Sequence, residues 1–139
     1  MLMNGVLSST NVRKEFGKFI DTVVHERPTV VKRNRDQFLA LSIVQTKVLL
    51  ESFNFEAHFM KEEDGSVTAT LDKFDLVVNK PDEYLAHKAL AEELIEYADE
   101  YFSEFPLYFN STNRKSHFPY VLSVGIQENL DDVMRLIRA

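Results

Sequence analysis

Residues 8–44 read SSTNVRKEFGKFIDTVVHERPTVVKRNRDQFLALSIV, and this stretch decides the fold of the first third of the chain. Ser8, Ser9 and Thr10 suit a helix N-terminus, because their hydroxyls accept from the free amides of a first turn. Val12, Phe16, Phe19, Ile20, Val23 and Val24 then recur on a 3.6-residue period and predict one amphipathic helix. Arg13, Lys14, Glu15, Lys18 and Asp21 occupy its opposite side. Pro28 cannot continue a helix, so the helix is expected to end near residues 25–27.

Thr29, Val30 and Val31 are β-branched and suit a strand. Lys32-Arg33-Asn34-Arg35-Asp36-Gln37 is polar and holds turn formers, and residues 38–44 read as the returning strand. The short run 3–7 supplies a first strand, which gives β-α-β-β. Residues 45–52, with Val48, Leu49 and Leu50, predict a short helix that packs on the sheet or acts as a linker.

The capped helix with Arg13 and Phe16, followed by Pro28, Val31, Arg33 and Asn34 ahead of an apolar strand, resembles the Phd/YefM antitoxin family. The likeness covers residues 3–46, in the manner of the longer Phd-like antitoxins associated with RelE/RelB systems. It implies a homodimer whose paired β-α-β-β units build one sheet with helices packed on it, and it implies binding to operator DNA upstream of the protein's own operon. Arg13 falls on the family's first-helix arginine, Arg33 on its hairpin arginine and Asn34 on the polar turn that follows. The usual turn glycine is absent, with Arg35-Asp36 in its place, so a longer or differently shaped turn is expected. The DNA-contacting set that follows is Thr10, Asn11, Arg13, Lys14, Lys32, Arg33, Asn34 and Arg35. Arg13 or Arg33 would read a guanine edge, whereas Lys32 and Arg35 would neutralise phosphate.

The remaining sequence is different in kind. Phe53, Phe55, Ala57 and Phe59 alternate with polar residues and predict a half-buried strand. Glu62-Glu63-Asp64-Gly65-Ser66 reads as a turn, Val67, Ala69 and Leu71 as a second strand, and residues 74–78 as a third. Pro81 and Asp82 open a long helix with apolar positions at Tyr84, Leu85, Leu90, Leu94, Ile95, Ala98, Tyr101, Phe102 and Phe105. This order looks like the small ββ(β)α domain of HicB-type antitoxins. Asn129 is expected to cap a last helix with Leu130, Val133, Met134 and Ile137 inward. The fold class is therefore α+β: an N-terminal β-α-β-β dimerisation module (1–46), a short helical linker (47–52) and an acidic β-β-β-α part with terminal helices (53–139).

Charge follows this division. The chain has 139 residues and a net charge of −6. Residues 1–44 hold seven Lys/Arg against four Asp/Glu, and residues 45–139 hold nine against eighteen. A basic head can neutralise phosphates, and an acidic remainder suits a basic partner. Eleven phenylalanines and 45% hydrophobic residues suffice for a packed core. The absence of cysteine excludes disulfides and thiolate metal sites. No run is long and apolar enough for a membrane span, and no signal-peptide pattern opens the chain, so a cytoplasmic protein is expected.

His25, His58, His87 and His117 lie at no metal-binding spacing, and the four glycines form no phosphate loop. Neither an enzyme nor a cofactor is expected. The resemblance implies a cognate toxin, commonly a RelE-like ribonuclease. The acidic, aromatic helix 82–105 is the candidate contact surface, through Leu85, Leu94, Tyr97, Tyr101 and Phe102, or else its apolar face is simply the core of its own domain. The Asn113-Arg114-Lys115-Ser116-His117 stretch mixes charge with neighbouring aromatics and resembles a segment of longer Phd-like antitoxins. It reads either as a loop that ties two helices together or, through Asn113, Arg114 and His117, as a docking patch. Two functions follow from different classes: an autoregulating DNA-binding antitoxin, and a protein-binding module with a Phd-like dimer that has lost DNA binding.

Overall fold

The computed structural model describes residues 2–139. The chain divides into two compact units, residues 1–49 and 50–139.

The first unit has a three-stranded sheet in the order β1-β2-β3: β1 (Leu7–Ser8), β2 (Thr29–Arg33) and β3 (Asp36–Ala40). β1 runs parallel to β2, with Leu7 opposite Val31 and Ser8 opposite Lys32. β2 and β3 form an antiparallel hairpin closed by Arg33 and Asp36. The turn is shorter than the missing glycine suggested, just Asn34-Arg35. Asn34 takes φ +54° and supplies the left-handed backbone itself, which asparagine tolerates better than most residues. Only Leu7 of the expected 3–7 strand is in a strand.

The expected single helix is two: α1 (Ser9–Lys14) and α2 (Phe16–His25). Ser8 caps α1 by accepting from the Asn11 amide at 3.2 Å. Glu15 leaves helical geometry at φ −125°, ψ 52°. Gly17 stands in the first turn of α2 and is a poor helix former, with no side chain to brace the break. The returning strand ends at Ala40, and Ile43 and Val44, expected in it, begin α3 (Ile43–Leu49). The cause is a reciprocal cap. Ser42 Oγ accepts from the Gln45 amide at 3.1 Å, and Gln45 Oε1 accepts from the Ser42 amide at 2.9 Å.

The second unit is a three-stranded antiparallel sheet covered by one long helix. The strands are β5 (His58–Lys61), β6 (Val67–Leu71) and β7 (Leu76–Lys80), with β6 central. Gly65, at φ +88°, turns β5 into β6. A 3-10 turn (Asp72–Phe74) precedes β7, so Phe74 is not part of the third strand. Asp82 caps α4 (Glu83–Ser103), accepting from the Leu85 amide at 2.8 Å. Ala86, Leu90, Leu94, Ala98 and Tyr101 form the buried stripe of α4, spaced four, four, four and three. Tyr84, Leu85, Ile95 and Phe102, expected on that stripe, are exposed.

The alternating run 53–59 is not one strand. β4 (Phe55–Glu56) pairs with β8 (Ile137–Arg138) in parallel, and after Ala57 the chain passes to the other sheet as β5. Ile137 is therefore strand, not the end of the last helix. Three short helices lie before it: α5 (Phe105–Phe109), α6 (Phe118–Gly125) and α7 (Leu130–Arg135). Asn129 caps α7 as expected, accepting from the Asp132 amide at 2.9 Å. The Phe55 amide donates to Leu136 O at 2.8 Å and the Ala57 amide to Arg138 O at 2.7 Å. The two ends of this unit are thus stitched together. Phe55 sits 5.0 Å from the Phe74 ring and 5.6 Å from the Tyr120 ring at the centre of the core.

Candidate nucleic-acid interface and partner surface

The register of β1 on β2 gathers the basic residues of the first unit. Ser8 lies opposite Lys32, and both strands run toward the hairpin turn. α1 therefore starts at the end of the sheet where Lys32, Arg33, Asn34 and Arg35 stand. Thr10, Asn11, Arg13 and Lys14 all lie on α1, and all eight residues are exposed. Arg33 donates to Asp36 across the turn at 3.3 Å. Both side chains are mostly exposed, so the pair is weak and exchangeable.

The same unit leaves much of its apolar surface bare. Its buried hydrophobics are Val23, Val30 and Val31. Phe16, Ile20 and Val24 make an exposed stripe along α2, at a spacing of four. Phe38 (57% exposed) and Leu39 (51%) stand on β3, and Val44 (75%) and Val48 on α3. The sequence carried a signal for this. Phe38-Leu39-Ala40-Leu41 does not alternate, and unbroken apolar strands belong to sheets covered on both faces.

In the second unit the proposed partner residues separate into two groups. Leu94 and Tyr101 are core residues, 1% and 0% exposed, and offer no surface to a partner. They continue the buried stripe of α4, which the apolar pattern alone could not orient. Leu85 and Phe102 are on the surface, as is Asn113.

Tyr97, Arg114 and His117 are half-buried and bound to one another. The Tyr97 hydroxyl meets His117 Nδ1 at 2.7 Å, and the Tyr101 hydroxyl donates to Arg114 O at 2.8 Å. The Arg114 guanidinium lies 4.7 Å from the Tyr108 ring centre and 5.7 Å from that of Tyr97. The 113–117 stretch therefore ties α4 to the segment before α6 from the inside.

Burial, with the positive charge of Arg114 second, pushes the His117 imidazole below its ordinary value. Burial likewise pushes the Tyr97 phenol up. The Tyr108 phenol is pushed up chiefly because its hydroxyl donates to Glu100 at 2.7 Å.

Among the described residues, no buried side-chain nitrogen or oxygen lacks a partner. No group of three or more potential metal ligands comes together among them, and no helix is long and apolar enough to cross a membrane.

No curated protein matches the sequence. The crystal structure of the antitoxin part of a proposed toxin/antitoxin system from Syntrophomonas wolfei subsp. wolfei is 41% identical. It superposes with a TM-score of 0.89 over 96% of each chain. Residues 3–139 match the model of the PHD_like family, described as the antitoxin of a toxin-antitoxin system of the RelE/RelB kind. With that match running through both units, the chain belongs to the PHD_like antitoxins.

Proposed function

We propose that this antitoxin works as a homodimer built by its first unit, represses its own operon through that unit, and neutralises a RelE-like ribonuclease by direct binding through its second. The observation that carries the reading is the one-sidedness of residues 1–49. Three buried valines cannot hold a 49-residue unit together. The bare stripe of α2, the outer residues of β3 and those of α3 suit a second copy of the same surface, as a two-fold dimer requires.

The basic residues of α1 and the hairpin turn would then be present twice and favour a palindromic site. The net charge of −6 favours the second reading, a dimer that no longer binds DNA, because an acidic chain is repelled by phosphates.

A fluorescence-anisotropy titration with DNA from upstream of its own reading frame decides between them. Wild type is run beside Arg13→Ala and Arg33→Ala at two salt concentrations. Each variant is expected to lose about 1–3 kcal/mol of specific binding. Affinity no better than for a scrambled duplex would remove the repressor reading and leave the protein-binding one.

A further inference from the structure

In the second unit a groove of about 390 Å³ runs between α4 and the α6–α7 segment. Its floor is apolar, made of the buried Ala98, Val124 and Val133. Ile95, Asp99 and Phe102 stand along one wall at i, i+4 and i+7 of α4, and Glu128 and Leu130 stand on the other. Phe102 and Ile95 are 39% and 40% exposed, large apolar side chains at the mouth of a cavity. Phe102 is held in place from behind by stacking on Phe105, 5.9 Å away and nearly parallel.

The groove's two charged lining residues, Asp99 and Glu128, are both acidic, and the helix around Asp99 adds more negative charge. Residues 89–113 contain Glu92, Glu93, Glu96, Asp99, Glu100 and Glu104 and no Lys or Arg. The ion pairs of the described residues include neither Asp99 nor Glu128. The acids also stand where they oppose their own helix. α4 has no basic residue in its last turn, so Asp99, Glu100 and Glu104 crowd its negative pole. Glu92, Glu96, Glu100 and Glu104 repel one another at spacings of four. An arrangement unfavourable to the free helix becomes favourable when a cation docks on it.

We infer that this groove is where the toxin binds, through a basic segment that places an apolar anchor between Ile95, Phe102 and Leu130. Flanking Lys or Arg side chains of that segment face Asp99 and Glu128. The anchor fills the cavity, the guanidinium or ammonium groups neutralise the helix pole, and an arginine can also lie on the Phe102 ring. This inference rests on the reading that the antitoxin binds its toxin directly.

The test is calorimetric titration of the full-length antitoxin with the purified toxin encoded beside it in the same operon. Wild type is compared with Asp99→Lys/Glu128→Lys, with Phe102→Ala, and with Glu51→Lys/Glu63→Lys, a control with the same change of net charge at exposed positions outside the groove. The groove reversal is expected to weaken binding at least about thirtyfold and the control less than about threefold. Phe102→Ala is expected to weaken it by about tenfold or more. The single variant Asp99→Lys should also raise the melting temperature, because it places a cation at the negative pole of α4. Weaker binding from a more stable protein cannot be a folding defect. Equal losses in the groove pair and the control, or no loss in either, would overturn the groove. A wild-type antitoxin that does not bind the toxin would overturn direct neutralisation and the groove with it.

Discussion

The two units solve the problem of burial in opposite ways. Among the described residues, the second unit buries sixteen hydrophobic residues around Phe55 and Tyr101, whereas the first buries three. The second unit closes its own core by joining residues 55–57 to 136–138. The first presents Phe16, Ile20, Val24, Phe38 and Val44 to its surroundings. The difference teaches that one chain can hold a domain that closes its own core beside one that leaves its apolar face bare. The charge imbalance follows the same boundary, basic in the incomplete unit and acidic in the complete one.

The contrast is broken most sharply at its centre. Phe55→Ala removes the ring packed on Phe74 and Tyr120 and is expected to destabilise the second unit by about 3–5 kcal/mol. Differential scanning calorimetry should show the melting of that unit fall, at a protein concentration that keeps the first unit associated. Next in size is Ile20→Asp, at a position 44% exposed in the single chain. Losing about 2 kcal/mol of apolar burial is expected to raise the dimer dissociation constant about thirtyfold. Sedimentation velocity across a dilution series measures this, and an unchanged association would place the dimer contact elsewhere.

The smallest effect concerns pH. His117 is held below its ordinary value of 6.5 in the folded unit. The unfolded chain therefore takes up a proton first as pH falls through 6.5, and stability is lost from there down to the folded value. Thermal melting between pH 7.5 and 5 should show this loss in wild type and a shallower one in His117→Gln.

What the sequence made legible was mostly local. Caps at Ser8, Asp82 and Asn129 work through hydrogen bonds three residues long, and all three were readable from residue type. So were the existence of the hairpin, though not the place of its turn or its end, and the long helix. What it concealed depends on partners distant in sequence. The alternation of Phe53–Phe59 is continuous, yet Phe55 pairs with Ile137 and His58 with Thr70. Nothing near residue 57 records that exchange. Ile137 continues the helical spacing of Val133 and Met134, but the open edge of β4 takes it into a strand. The start of α3 was legible in principle, because Ser42 and Gln45 have the spacing of a reciprocal cap. The basic set on α1 and the turn was legible as residues, and the β1–β2 register adds that they share one end of a sheet. Leu94 and Tyr101, candidates for a partner surface, belong to the core instead, because an apolar period does not tell a core face from a contact face.

The stitch between β4 and β8 has a consequence for the order of events during synthesis. The residues of the first unit are all made well before Ile137 and Arg138. Until those two are made, Phe55 and Ala57 have no strand to pair with, and the acidic unit stays open. A chain cut short before residue 137 would lack the strand that closes its second unit. The pairing of β4 with β8 thus cannot form before Ile137 and Arg138 are made.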